Sequence, residues 1–124
     1  MQIIEANNVF SKIDFQRDID YNIYPKSIYK CPICKSELSF NMQDFKKYSL
    51  NKNSSFSIEE QEKIKKMLEL SKRKEPNSFI DYYCPQCNTP TRIYFTAWGG
   101  GRYTGGSHLE FVVIDDTCCN NLND

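Results

Sequence analysis

Residues 31–34, Cys-Pro-Ile-Cys, and residues 84–87, Cys-Pro-Gln-Cys, carry the strongest pattern in the chain. Cysteines at this spacing let one tight turn present two sulfur atoms to the same metal ion. Four soft ligands complete a tetrahedral structural site and leave no position for water or substrate, so the metal is predicted to hold the fold rather than do chemistry. The predicted ligands are Cys31, Cys34, Cys84 and Cys87.

Zinc is the metal that a set of four thiolates favours, with iron in a rubredoxin-like site as the competitor. The chain begins without a basic segment followed by a long apolar stretch, so no signal peptide is expected. It also has no run of 18 apolar residues that would span a membrane. We therefore expect a cytoplasmic protein, in which the paired cysteines stay reduced and bind metal instead of forming disulfides.

The overall charge is balanced, with 16 basic and 16 acidic residues among 124. A net charge of zero gives no global field that would draw the chain to nucleic acid or to a membrane. The charges are unevenly spread, however: residues 26–92 have a basic surplus, and residues 109–124 contain acids and no basic residue. The length predicts a single domain over residues 1–124.

Alternating apolar residues predict strands around both cysteine turns and after the second one. The predicted strands are residues 27–30, 37–41, 79–83, 91–98 and 108–115. In the fourth, Ile93 and Phe95 are expected on one face and Arg92 on the other; in the last, Leu109 and Phe111 are expected to share a face. Residues 1–24 show no clean period and are expected to be a lead-in of uncertain order, and residues 116–124 a polar tail.

A helix is predicted at residues 58–74, inside an insertion at residues 42–77. Ser57 followed by Glu60 is a capping box. Ile58, Ile64 and neighbouring apolar residues recur at helical spacing. Three basic residues at 72–74 suit the negative end of a helix dipole, and a proline follows at 76.

The order of cysteine turn, insertion, cysteine turn and hairpin resembles the zinc ribbon fold group. The resemblance covers residues 27–41 and 79–115 and implies two facing knuckles that share one ion on a three-stranded antiparallel sheet. The gap between the two cysteine pairs is much longer than the common ~15–20 residues. The predicted class is therefore α+β, a zinc-ribbon-like antiparallel sheet with a helix inserted between its two knuckles.

All five glycines lie within residues 99–106, which are predicted to be a loop joining the last two strands. Flexible loops use glycine for positive φ angles, and binding residues are often carried on such loops. Trp98, Arg102 and Tyr103 are the candidate partner-binding residues, because these types are enriched at binding hot spots. The adjacent Cys118 and Cys119 are interpreted as unligated thiols, and His108 as an ordinary residue at the start of a strand.

Three classes of function follow from these features. The size, the composition and the overall character resemble those of bacterial immunity proteins, which implies a non-catalytic module that binds a toxin-like protein partner. The acidic end of the chain is complementary to a basic toxin surface. The alternative is a nucleic-acid-binding zinc ribbon that uses a basic and aromatic stripe, with Arg73 and Arg92 among its members. An enzyme is the least supported class, because the chain offers no open metal site and only one histidine.

Overall fold

The computed structural model describes residues 1–16, 26–41, 56–76, 78–101 and 104–116. All pairings between the described strands are antiparallel, and helices and strands both occur, so the α+β class is confirmed. The elements in chain order are β1 (Gln2–Glu5), α1 (Ala6–Val9), β2 (Asp14–Gln16), β3 (Lys26–Lys30), β4 (Glu37–Asn41), α2 (Ile58–Leu70), β5 (Ser78–Tyr83), β6 (Pro90–Gly101) and β7 (Thr104–Ile114).

The long strand β7 is the centre of a five-stranded sheet. One edge of β7 pairs with β6, which in turn pairs with β5. The other edge of β7 pairs with β1 at one end and with β2 at the other. Residues 1–16, expected to be a lead-in, thus supply two strands and a short helix, while residues 17–24 lie outside the described residues.

Strands β3 and β4 form a separate two-stranded hairpin that carries the first cysteine turn. The segment after α1 holds this hairpin in place. The Ser27 hydroxyl donates to the Lys12 carbonyl at 2.6 Å and accepts from the Lys12 amide at 3.0 Å. A single antiparallel bridge joins Phe10 to Tyr29. The N-terminal segment therefore helps to connect the β3–β4 hairpin to the five-stranded sheet.

Both faces of the five-stranded sheet are covered, and each face has its own apolar core. The first core lies between the sheet and the β3–β4 hairpin, and the second lies between the sheet and α2. The first core contains Phe10, Tyr29, Phe40, Ile80, Tyr82, Ile93, Phe95, Leu109, Val112 and Ile114. The second core contains Phe56, Ile64, Leu68, Tyr94, Phe111 and Val113.

A bulge at Glu110 changes which residues of β7 face which core. Tyr94 pairs with Phe111, but the next residue, Phe95, pairs with Leu109. Strand β7 therefore has one extra residue, Glu110, between two consecutive pairs. The extra residue turns Leu109 into the first core while Phe111 lies in the second. The prediction that Leu109 and Phe111 share a face is wrong because strict alternation fails at a bulge.

Helix α2 begins where the sequence predicted. The Glu60 amide donates to the Ser57 hydroxyl at 3.1 Å, and the Glu60 carboxylate accepts from the Ser57 amide at 3.0 Å. Ile64 and Leu68 are buried against the sheet, whereas Ile58, expected on the apolar face, is 77% exposed. No helix in the described part of the chain is long and apolar enough to cross a membrane.

The helix ends at Leu70, four residues earlier than predicted, because the chain reverses there. Lys72 has a φ of 56°, in the left-handed region. Its amide donates to the Glu69 carbonyl at 3.1 Å, and the Arg73 amide donates to the Leu68 carbonyl at 3.0 Å. These two bonds are a Schellman motif, so residues 72–74 lie beyond the helix instead of forming its last turn.

Replacing Lys72 with glycine should stabilise the protein. A side chain in the left-handed region costs about 1–2 kcal/mol, and glycine avoids that cost while losing entropy on folding. We expect Lys72→Gly to raise the free energy of unfolding by up to about 1 kcal/mol in urea titrations. Lys74→Gly is the matched control and should be neutral or slightly destabilising. An equal effect of the two substitutions would contradict this explanation of the helix end.

The glycine-rich segment is mostly strand rather than loop. Strands β6 and β7 continue to pair through Gly99 with Gly105 and Gly101 with Thr104. None of the described glycines has a positive φ. The expected loop at residues 99–106 is therefore corrected to a two-stranded arm, defined as residues 97–101 and 104–107. The β6 part of the arm lies beyond Phe95, the last residue that pairs with β5. In the β7 part, Ser107 and Gly106 still pair with Phe15 and Gln16 of β2.

Candidate metal centre

The first cysteine turn closes the β3–β4 hairpin. The Cys31 amide donates to the Ser36 carbonyl at 2.9 Å, and the Lys35 amide donates to the Cys31 carbonyl at 2.9 Å. Lys35 has a φ of 64°, which lets the chain reverse and enter β4. The turn thus presents Cys31 and Cys34 together at the end of the hairpin.

The second turn, between β5 and β6, has the same backbone geometry. The Cys84 amide donates to the Thr89 carbonyl at 3.0 Å, and the Asn88 amide donates to the Cys84 carbonyl at 2.7 Å. Asn88 has a φ of 61°, at the position that corresponds to Lys35 in the first turn. Two equivalent turns on two different hairpins therefore present two pairs of cysteines.

The fold brings the two cysteine pairs face to face. The Cys31 and Cys87 sulfur atoms are 3.7 Å apart, and so are those of Cys34 and Cys84. All four sulfur atoms lie within 4.8 Å of one another, and no disulfide joins them. Sulfur atoms bound to a tetrahedral zinc ion at ~2.3 Å would be about 3.8 Å apart. The four cysteines can therefore hold a metal ion.

The two cysteines of each pair have different surroundings. The first of each pair, Cys31 and Cys84, are each 1% exposed and belong to the first core, whereas Cys34 and Cys87 are partly exposed. Burial raises the pKa of the Cys31 thiol to about 12. Partial burial acts to raise the pKa of Cys34, but hydrogen bonds from the Ser36 hydroxyl and amide, together with those from the Cys31 and Cys84 side chains, outweigh it and lower that pKa to about 6.

Two hydroxyl residues next to the cluster were missed in the sequence. The Ser36 oxygen lies 2.9 Å from the Cys34 sulfur, and the Thr89 oxygen lies 2.9 Å from the Cys87 sulfur. Each hydroxyl residue follows its cysteine by two positions. The signal that could have found them is a repeat of six residues, Cys-Pro-x-Cys-x-Ser/Thr, which begins at residues 31 and 84.

Two buried tyrosines, Tyr29 and Tyr82, belong to the same core as the buried cysteines. The Tyr29 and Tyr82 rings meet edge to face with centroids 6.2 Å apart, and Phe40 packs against Tyr82 at 5.5 Å. Burial raises the pKa of both tyrosine hydroxyls above the ordinary value. The cysteine cluster is therefore continuous with the first core.

Two other candidate residues, Trp98 and His108, are described by the structure and are not among the four clustered residues. Trp98 lies in β6, with its backbone opposite Gly106. The His108 ring nitrogen Nδ1 contacts the Asp14 carboxylate across the β2–β7 pairing. Arg102, Tyr103, Cys118 and Cys119 lie outside the described residues.

Two basic residues assigned to the nucleic-acid stripe have partners within the protein. Arg92 is buried and forms a bidentate ion pair with Asp81, with N–O distances of 2.7 and 2.9 Å. Arg73 pairs with Glu5, and its guanidinium lies 5.2 Å from the centre of the Phe111 ring. Neither guanidinium is therefore presented freely to a ligand.

Comparison with protein-family models, with curated proteins and with solved structures found no match for this chain. Its function must therefore be argued from the site itself. That site is a group of four reduced cysteines, contributed by two hairpins, which can hold a metal ion.

Proposed function

We propose that this protein is a non-catalytic protein-binding module whose fold is stabilised by one structural zinc ion. The observation that carries the proposal is the group of four sulfur atoms within 4.8 Å. Four protein ligands fill a tetrahedral zinc ion, so the ion has no open position for water or substrate. Thiolate softness favours zinc, with iron as the competing metal.

The arrangement of the two turns supports a zinc-ribbon-like fold. The second turn leads into β6 and β7, which form a three-stranded antiparallel sheet with β5. The first turn lies on the separate β3–β4 hairpin. On this proposal, the N-terminal strands and α2 are additions that cover the edge and the second face of the ribbon sheet.

The two-stranded arm is the proposed contact surface. Its β6 strand continues past β5, and Thr104 and Gly105 of β7 continue past the last residue that pairs with β2, so the end of the arm extends beyond the neighbouring strands. Trp98 lies within the arm, and Arg102 and Tyr103 follow Gly101 in the sequence. Tryptophan, arginine and tyrosine are enriched at the hot spots of protein interfaces. A toxin neutralised by an immunity protein is the kind of bacterial partner we propose.

Nucleic-acid binding is the second candidate. Lys63, Lys65 and Lys66 are exposed on α2 and offer positive charge. Acidic residues at 59, 62 and 69 alternate with them, which is typical of a solvated helix face. The buried ion pair of Arg92 with Asp81 also removes one cation from the predicted stripe.

Affinity capture from a lysate of the source cells, with and without nuclease, separates the two candidates. We expect one stoichiometric protein partner that is retained after nuclease treatment. A Trp98→Ala/Arg102→Ala/Tyr103→Ala variant should lose that partner, while Lys65→Ala/Lys66→Ala, the control on α2, should keep it. Retention of RNA or DNA with a steep salt dependence, abolished by the lysine substitutions, would contradict the proposal.

A further inference from the structure

Each cysteine turn places a hydroxyl against the more exposed of its two sulfur atoms. Ser36 lies 2.9 Å from Cys34, and Thr89 lies 2.9 Å from Cys87. The buried cysteines of the two pairs are instead enclosed by the first core. Ser36 is also 3.9 Å from the Cys84 sulfur, so one hydroxyl lies beside ligands from both hairpins. The hydroxyls thus contact the two sulfur atoms that belong to the partly buried cysteines.

The direction of these hydrogen bonds follows from the chemistry of a bound metal. A metal-coordinating cysteine is a thiolate and has no proton to donate. The hydroxyl must therefore donate to the sulfur. Such a bond fixes the sulfur in position and withdraws electron density from it, and groups that contact metal ligands in this way typically change metal affinity by ~10–100-fold.

We propose that Ser36 and Thr89 are positioning residues of the metal centre, whose hydroxyls hold Cys34 and Cys87 in place and protect these thiolates from electrophiles. This inference rests on the proposed zinc site. It assigns equivalent roles to two residues on separate hairpins, and it explains why the six-residue pattern repeats a hydroxyl residue after each cysteine pair.

The test uses the full chain with Ser36→Ala and Thr89→Val, which remove the hydroxyls while changing little volume. Chelator competition should show a ~10–100-fold loss of zinc affinity in the double variant. In the zinc-loaded protein, N-ethylmaleimide should modify Cys34 and Cys87 faster than in wild type, as mapped by mass spectrometry of the peptides. With Co²⁺ as the probe, the sulfur-to-metal absorption band should move to longer wavelength, because an electron-richer thiolate is easier to oxidise.

Conservative variants separate a hydroxyl effect from a packing effect. Ser36→Thr and Thr89→Ser keep the hydroxyl and should restore most of the zinc affinity and the slow alkylation. Thr96→Val is the matched control, because it removes a hydroxyl that donates to Glu110 at 3.0 Å instead of to a cysteine. Thr96→Val should leave both the zinc affinity and the rate of cysteine alkylation unchanged.

The outcomes distinguish this inference from the zinc site on which it rests. Wild-type protein that binds neither zinc nor cobalt would overturn both. Wild-type protein that binds metal, with hydroxyl-free variants of equal affinity and equal alkylation rate, would overturn the role of Ser36 and Thr89 and leave the zinc site standing.

Discussion

Removing the metal with a strong chelator should abolish the cooperative thermal unfolding transition of this protein. The two cysteine turns belong to different hairpins, and coordination bonds to one ion would cross-link these hairpins. Structural zinc contributes about 10–16 kcal/mol of apparent binding free energy, as much as the ~5–15 kcal/mol net stability of a typical domain. The metal-free chain should therefore lose most of its ordered structure, as measured by circular dichroism and thermal melting.

A ligand substitution should reproduce the effect of the chelator. Cys84 is 1% exposed and lies in the first core, so Cys84→Ser removes a ligand and also places a hydroxyl among apolar side chains. Cys118→Ser is the matched control, because that cysteine lies outside both Cys-Pro-x-Cys sequences, and its melting curve should match that of wild type. Unchanged dichroism and melting after chelation, or equal effects of the two substitutions, would show that no metal holds this fold.

Features encoded within a few residues could be predicted from the sequence. The paired cysteines determine the two turns, and the structure brings their sulfur atoms together as the pattern implied. The capping box at Ser57 and Glu60 likewise determines where α2 begins. In both cases the interacting groups are close in the sequence or belong to a repeated motif, so a local pattern carries the information.

Features that depend on distant partners could not be predicted. Strand β1 pairs residue by residue with the end of β7, as in Ile3 with Val113, and nothing in the first residues indicates that partner. The bulge at Glu110 arises from the register between two strands. Glycine frequency indicated a loop, but continued pairing between β6 and β7 keeps those residues extended. Long-range pairing overrides local preference in each case.

Arg92 shows how missing information about distant partners affected the prediction of a nucleic-acid-binding stripe. Strand alternation placed it correctly on the face opposite Ile93. The nucleic-acid alternative needs that face to be open to a ligand, but the second core lies there and Arg92 is 3% exposed. Its guanidinium is 3.9 Å from the centre of the Phe79 ring and is paired with Asp81. The residue therefore belongs to the interior, where it affects stability.

Breaking that ion pair should be the most destabilising change outside the metal centre. The Arg92 and Asp81 side chains are 4% and 6% exposed, and they are cross-strand neighbours on β6 and β5. Asp81→Asn leaves the guanidinium charge buried without its counter-ion. We expect it to lower the free energy of unfolding by about 3–5 kcal/mol in urea titrations. The control is Glu5→Gln, which breaks the more exposed pair with Arg73 and should cost under about 1 kcal/mol.

Removing both charges should cost far less than removing one. In Asp81→Leu/Arg92→Met no buried charge remains, and apolar side chains of similar size fill the space, an exchange that is often neutral or stabilising in other proteins. A double-mutant cycle should therefore give a coupling energy of several kcal/mol between the two positions. If Asp81→Asn costs less than about 1 kcal/mol, the pair is not buried in solution. Arg92 would then return to the set of cations available to a ligand, and the case for nucleic-acid binding would strengthen.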